Sequence, residues 1–413
     1  MDIKPFGAFL PAKHLAQQVV SKPFDFYTHE QLDEILQHNH HSFLNIVKPD
    51  YRNADKAEVN SEVLFARSRG RFLEFVNDSI YSHLDGEAYF IYRQTVGAQS
   101  ATGLIVGASV NDYKRGLIKI HEQTIERKEV VLKNYLRSVK INAEPVLLTY
   151  PSKAELSARI EHITDITAHY CEVAVDGVHH QLWLVQSEED KNFFTSQFAG
   201  FDEVFVADGH HRLASSALLY DEFAANNPDS DKLPNYARFM AALYADDQLG
   251  LFEFNRLVKD LNGYSEREFI AELEKTFDVR KVGAEPVKPA NPHEFTVYLH
   301  NTWFYLTLLP QFKEQYLANN PLDAELLTEL ILKPILNISD LRADKRVAFT
   351  SGVQGLEAVA KRVDSGRFVA AFVLHPVHID QFYDISRSGK TMPPKSTWFE
   401  PKLLNGLVIY SYE

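Results

Sequence analysis

Three prolines fall within the segment Gly283-Ala284-Glu285-Pro286-Val287-Lys288-Pro289-Ala290-Asn291-Pro292. Each removes a backbone donor and fixes φ, so neither a helix nor a central strand can run through this stretch. The chain, at 413 residues, also exceeds what one apolar core usually serves. Together these features predict a domain over 1–282, a linker over 283–292 and a second domain over 293–413. Just upstream, Ser265-Glu266-Arg267-Glu268 has the capping-box pattern, with Phe269, Leu273 and Phe277 following at helical spacing. That helix is expected to close the first domain.

The remaining periodicity mixes strands and helices without strict alternation. Tyr89 to Arg93 and Gly103 to Gly107 read as strands joined through Gly97-Ala98-Gln99-Ser100, a hairpin. Thr28 to Gln37 reads as a helix, and Ala237 to Ala245 with Gly250 to Val258 as a strand pair around Asp246-Asp247-Gln248. Phe295 to Leu299 and Ala370 to Leu374 read as strands beyond the linker. The fold class this predicts is α+β with mixed sheets, not a doubly wound parallel sheet.

Composition excludes several classes of function. Lys and Arg number 43 against 56 Asp and Glu, and a net charge of −13 argues against duplex DNA or another large nucleic acid as partner. A small anionic ligand needs only a local basic pocket. One cysteine, Cys171, permits no internal disulfide and no multi-thiolate zinc site. The start Met1-Asp2-Ile3-Lys4-Pro5-Phe6 lacks a basic-then-apolar leader, and no stretch approaches the roughly 18 apolar residues of a membrane span. The expected location is cytoplasmic, and self-association is left open.

The chemistry centres on five polar or special residues set between an apolar strand and an apolar helical face. Val204-Phe205-Val206-Ala207 precede Asp208-Gly209-His210-His211-Arg212, and Leu213, Ala214, Ala217 and Leu218 follow on one helical face. Gly209 permits a turn that a side chain hinders, and the first amides of a helix are unpaired donors at a positive dipole end. The turn therefore suits a phosphate or carboxylate. Arg212 can add a bidentate hydrogen bond, and His210 or His211 can donate to an oxyanion or move a proton near neutral pH. Asp208 can hold a metal, orient a histidine or cap the helix. The plainer alternative is an N-cap beside surface histidines and an ordinary ion pair.

The string Ala207-Asp208-Gly209-His210-His211-Arg212-Leu213-Ala214 resembles the signature of a widespread bacterial family known as domain of unknown function 1015. The resemblance extends over nearly the whole chain. It includes Lys4-Pro5-Phe6, Tyr92-Arg93, Lys119-Ile120-His121-Glu122-Gln123-Thr124, Met392-Pro393-Pro394-Lys395-Ser396-Thr397, Pro401-Lys402 and Gly406-Leu407-Val408. The family's turn is in turn similar to the phosphate-handling turn of the ParB and sulfiredoxin superfamily, which includes kinases of free serine. That resemblance implies a ParB/sulfiredoxin-like element with a C-terminal α+β domain. It also implies that Gly209 to Arg212 form a nucleotide-phosphate loop and that a carboxylate elsewhere acts as base. Where many partition proteins of the superfamily carry twin arginines, this chain has His210 and His211, so a CTP switch is not implied.

Beside the turn stand three lesser candidates. His121-Glu122 offers a proton acceptor for an alcohol, with Glu122 the base. Lys395-Ser396-Thr397, stiffened by Pro393-Pro394, is a basic, hydroxyl-bearing loop suited to an anionic substrate. Arg93 on its strand can reach a carboxylate, although a cross-strand pair is the plainer reading. His38, His40, His41, His179 and His180 lack metal-ligand spacing and read as structural.

The functional expectation is phosphoryl transfer, in the kinase or phosphatase direction, between a nucleotide or other phosphate donor and a small hydroxylated metabolite. Free L-serine and phosphoserine are favoured by the superfamily resemblance. Mg²⁺ would bridge donor phosphates, held by Asp208 or by phosphate and water alone. Two alternatives stand beside it: a nucleotide-binding regulator without catalysis, and a metal-dependent hydrolase built on Asp208, His210 and His211.

Overall fold

A computed structural model describes residues 1–49, 61–231 and 233–413. The chain divides into two compact units, one of Met1–Leu249 with Pro401–Glu413 and one of Gly250–Glu400. Both are α+β.

In the first unit, nine strands form one sheet: β1 (Ile3–Lys4), β2 (Tyr89–Val96), β3 (Gln99–Ser109), β4 (Ile118–Lys119), β5 (Val146–Tyr150), β6 (Cys171–Val175), β7 (Val178–Val185), β8 (Val204–Asp208) and β9 (Arg238–Ala245). Their order is β4-β8-β5-β9-β3-β2-β7-β6, with β1 on β3. β4 runs parallel to β8, and β5 parallel to β9, while the other pairs are antiparallel. The expected hairpin is β2 and β3, tightened to a turn at Gly97, whose φ of 58° suits glycine. Tyr89, Ile91, Leu104, Val106, Leu148, Val204 and Val206 enter one buried core with Leu213 and Ala217 of the following helix. A smaller four-stranded sheet joins Ala8–Pro11, Tyr81–His83, Ile409–Ser411 and Ile141–Asn142. The predicted N-terminal helix spans His29–His38 and carries a capping box on Thr28.

The second unit is built on a seven-stranded sheet of β10 (Gly250–Val258), β11 (Phe277–Gly283), β12 (Glu294–Leu299), β13 (Thr302–Leu308), β14 (Val347–Ser351), β15 (Ala370–Val373) and β16 (Thr397–Glu400). Its order is β11-β13-β12-β15-β10-β14, with β16 on β10.

Three expectations about organisation are corrected here. The proline-rich segment is a loop inside the second unit, because the strands on either side of it, β11 and β12, both pair with β13. The capped helix Glu266–Leu273 forms as expected, but Phe269 and Leu273 bury in the second unit's core. Finally, β9 and β10 are strands that do not pair with each other: β9 lies between β5 and β3, and β10 between β14 and β15. The boundary falls in their connection, and the tail 401–413 rejoins the first unit because Ile409–Ser411 completes its small sheet.

Candidate functional site at the Asp208 turn

Val204 and Val206 are buried, which fixes β8 between β4 and β5. The pairing with β5 slips between Val206 and Asp208, so Ala207 is an extra residue and Asp208 comes level with Leu147. Such a bulge re-aims the residue that follows it. Gly209 then takes φ 97° and ψ 29°, and the helix α2 (His210–Asn226) begins. No side chain caps it, and its ladder starts with the Leu213 amide donating to the Gly209 carbonyl at 3.0 Å. The amides of the first turn are thus presented at the end of a 17-residue helix. This helix is steadied by α1 (Glu126–Val139), where Ser215 Oγ donates to the Glu129 carbonyl at 3.1 Å and Arg137 pairs with Glu222 at 2.8 Å.

Because β4 runs parallel to β8, the residues after both strands emerge at one end of the sheet. His121 and His210 meet there, both buried, with ring centroids 4.4 Å apart at 83°. The His121 amide donates to His210 Nε2 at 3.4 Å, which assigns the neutral ring's proton to Nδ1. Burial pushes the His121 pKa down to about 4 and that of His210 well below its usual value, the latter helped by His121, His211 and Arg212. The two rings are therefore neutral at pH 7, packing and hydrogen-bonding groups instead of the neutral-pH proton carriers expected of free imidazoles. Glu122 follows His121 directly and is half-buried at this same end.

Arg212 folds back over the turn. Its Nη2 lies 2.8 Å from Asp208 Oδ2 and its Nη1 lies 2.9 Å from Glu144 Oε1 and donates to the Pro145 carbonyl. Lys402 Nζ stands 3.6 Å from the other oxygen of Asp208. Lys402 is anchored through its carbonyl, which accepts from Gln94 Nε2 at 2.8 Å, and Gln94 is itself held by the Tyr244 hydroxyl at 3.1 Å. Two cations and two carboxylates thus converge on the glycine turn. His211 is half-buried, and its Nδ1 is enclosed without a hydrogen-bond partner among the described residues.

The structure brings His121 against His210 in the turn of Asp208 through Arg212, with Glu122 entering only as the residue that follows His121 in the chain. It adds Glu144 and Lys402, which residue types alone do not single out as ligands. Lys402 lies in the Pro401-Lys402 pair picked out from the sequence, but nothing in the spacing ties it to Asp208. Glu144 arrives only because the start of β5 lies beside the end of β8. Arg93 is elsewhere: it lies on β2, four strands from β8, donating to Thr102 and Thr164 at 3.1 and 2.9 Å with its guanidinium 5.1 Å from the Trp183 ring. Alternation along β2 sends Arg93 and Gln94 to opposite faces, and Gln94 is the one that reaches Lys402. Lys395, Ser396 and Thr397 belong to the second unit.

The residues do not fit a resident metal. Among the described residues no group of three or more His, Cys, Asp or Glu side chains is arranged to hold one. Both oxygens of Asp208, the expected Mg²⁺ ligand, face cationic groups.

Replacing Gly209 by alanine is expected to destabilise the first unit by about 1–3 kcal/mol, since a left-handed residue with a Cβ is strained. The added Cβ also meets Arg212 Nε at 2.9 Å and displaces it. Denaturant unfolding followed by circular dichroism measures this, and an unchanged midpoint would contradict it.

The chain belongs to the family described as Protein of unknown function (DUF1015), whose model matches residues 3–330. None of the curated protein sequences matches it. Solved structures similar to it include a free serine kinase in complex with AMP, 14% identical over 74% of this chain and 91% of that one, with a TM-score of 0.35. SbnI from Staphylococcus aureus, truncated at its C-terminus, is 12% identical over 73% and 85%, with a TM-score of 0.37. A conserved hypothetical protein from Pyrococcus furiosus is 14% identical over 72% and 90%, with a TM-score of 0.32. Likenesses at these scores bear on no ligand or residue of this chain.

Proposed function

We propose that the Asp208 turn binds a phosphate-bearing anion and that the protein transfers a phosphoryl group between that donor and a small hydroxylated metabolite. The observation that carries the reading is the uncapped start of α2 on Gly209, with Arg212 and Lys402 both drawn to Asp208 beside it. Partly exposed ion pairs are worth only about 0–1 kcal/mol. Asp208 and Glu144 therefore act as placeholders, and a phosphate that also takes the first-turn amides competes with them readily.

A nucleotide or another phosphate donor fits this scheme. In the transfer step the acceptor oxygen forms a bond to phosphorus, the bridging donor oxygen leaves with its electron pair, and Glu122 takes the hydroxyl proton. The amides, Arg212 and Lys402 stabilise the charge on the transferring group. L-Serine is the first acceptor to try, given the turn's resemblance to that of the superfamily of free-serine kinases. The reverse reaction, return of the phosphoryl group from phosphoserine to the donor's leaving oxygen, uses the same groups. So does hydrolysis of phosphoserine, in which a water takes the acceptor's place and loses its proton to Glu122 as the serine oxygen leaves. Because the residues do not fit a resident Mg²⁺, no step is assigned to one.

A second reading, a ligand-operated switch without chemistry, is favoured by one feature: an arriving anion has to break the contacts of Arg212 with Asp208, Glu144 and Pro145. Calorimetry with ATP, ADP and pyrophosphate, paired with a phosphate-transfer assay on L-serine, separates the two. Arg212→Ala is expected to weaken donor binding by about 1.5–3 kcal/mol, and Lys402→Met by about 1 kcal/mol. Tight binding with no transfer in either direction favours the switch, and no anion binding defeats both.

A further inference from the structure

The second unit contains a buried charge whose donors its own fold leaves largely unmet. Arg256 lies on β10, fully buried, facing Phe349 of β14 and Phe372 of β15 across the strands, its guanidinium 5.6 Å from the Phe349 ring. Nη1 donates to the carbonyl of Phe254, but Nε and Nη2 are enclosed and have no hydrogen-bond partner among the described residues. Asp323 is the carboxylate whose field reaches Arg256. Its oxygens are already taken by the amides of His293 and His375, at 2.8 and 3.0 Å. Burial lowers the Arg256 pKa to about 10, which still leaves the group charged at neutral pH. Buried charges without partners are rare enough that each calls for an occupant, water or ion.

The unmet pair is informative in itself. Nε and Nη2 form one edge of the guanidinium fork, the edge that grips two oxygens of a planar anion in parallel. A second cation lies against the ring of Phe254, the residue whose carbonyl accepts from Arg256. Lys395, in the proline-stiffened loop singled out from the sequence, is exposed, holds φ 58° and places Nζ 5.2 Å from the ring of Phe254. Phe254 and Arg256 share a face of β10, about 7 Å apart along the strand. Ser396 locks the loop by donating to the Pro393 carbonyl at 2.7 Å. Non-glycine residues held in the left-handed region gather at ligand sites.

We infer that the second unit carries a carboxylate-binding site, in which Arg256 Nε and Nη2 grip both oxygens and Lys395 supplies the second positive charge. A carboxylate fits better than a phosphate because burial and the nearby Asp323 both penalise a dianion more than a monoanion. The site uses none of the residues of the Asp208 turn, and its test does not depend on phosphoryl transfer.

The test is a titration of the full-length protein, labelled with ¹⁵N-arginine, with sodium acetate against sodium chloride at equal ionic strength. One Nε–H resonance, absent from Arg256→Lys, is expected to shift and saturate with acetate only. Acetate affinity is expected to fall roughly 10- to 100-fold in Arg256→Lys and roughly 3- to 10-fold in Lys395→Ala, whose melting temperature in chloride stays that of the wild type. Arg256→Met, which removes the unmet charge, is expected to melt no lower in chloride and to lose the rise in melting temperature that acetate produces. Should that variant not fold, the lysine and alanine variants still decide. An Arg256 resonance indifferent to acetate, meaning a fork filled by water only, overturns the inference. So does saturation by phosphate in place of acetate, or an acetate response that Arg256→Lys and Lys395→Ala leave unchanged.

Discussion

Between pH 6.5 and pH 4 the first unit is expected to lose about 3 kcal/mol of stability through His121 alone. The direction follows from proton counts. His121 takes its proton near pH 6.5 when unfolded but only near pH 4 when folded, because burial opposes the charged ring. Between those values the unfolded chain binds more protons, so stability falls as pH falls through the window and is fully present above it. His210, held lower still, and His180, also near 4 through burial, add to the loss in the same direction. Urea titrations at half-unit pH steps measure the slope. His121→Phe, which fills the same space without titrating, is expected to reduce proton uptake on unfolding by about one. A slope that is flat in the wild type, or unaltered in His121→Phe, contradicts the burial account of the pair.

Glu122→Gln is expected to lower phosphate transfer to a hydroxyl acceptor by about 10²- to 10⁴-fold, the usual worth of a general base. Donor affinity is expected to stay within a few-fold of wild type. The split arises because glutamine keeps the shape and hydrogen-bonding reach of Glu122 but cannot accept the acceptor's proton as the new bond to phosphorus forms. On the proposed function the donor's phosphates take the amides of His210 to Arg212 with Arg212 and Lys402, which the substitution does not touch. Arg212→Ala should show the complementary pattern, with donor affinity falling first. Transfer from ATP, ADP or pyrophosphate to L-serine, measured in wild type and both variants beside calorimetric donor binding, checks it. Equal loss of binding and turnover in Glu122→Gln would remove Glu122 from the role of base.

The strand, glycine turn and helix around Asp208 were legible in advance because each is a local matter. Val204 to Ala207 are apolar, Gly209 accepts the left-handed conformation, and Leu213, Ala214 and Ala217 recur at helical spacing. The β2–β3 hairpin, the helix following Thr28 and the cap at Ser265 were legible for the same reason. What failed was non-local. Three prolines mark where regular structure stops, but they do not say whether the interruption separates domains or joins strands of one sheet, and pairing through β13 decides that. Arg93 has the same strand periodicity as any neighbour, and only the order of strands sets it four positions from β8. Glu144 and Lys402 join the turn through the antiparallel start of β5 and the returning C-terminal tail. Neither route leaves a periodic trace.

The most direct test of the central claim is a crystal structure of the full-length protein grown with ADP, with pyrophosphate and with phosphoserine. The account predicts a phosphate group within about 3 Å of the His210, His211 and Arg212 amides, with Arg212 turned from Glu144 toward it. Ligand bound elsewhere, with Arg212 still paired to Asp208 and Glu144 and no phosphate at the turn, would contradict it.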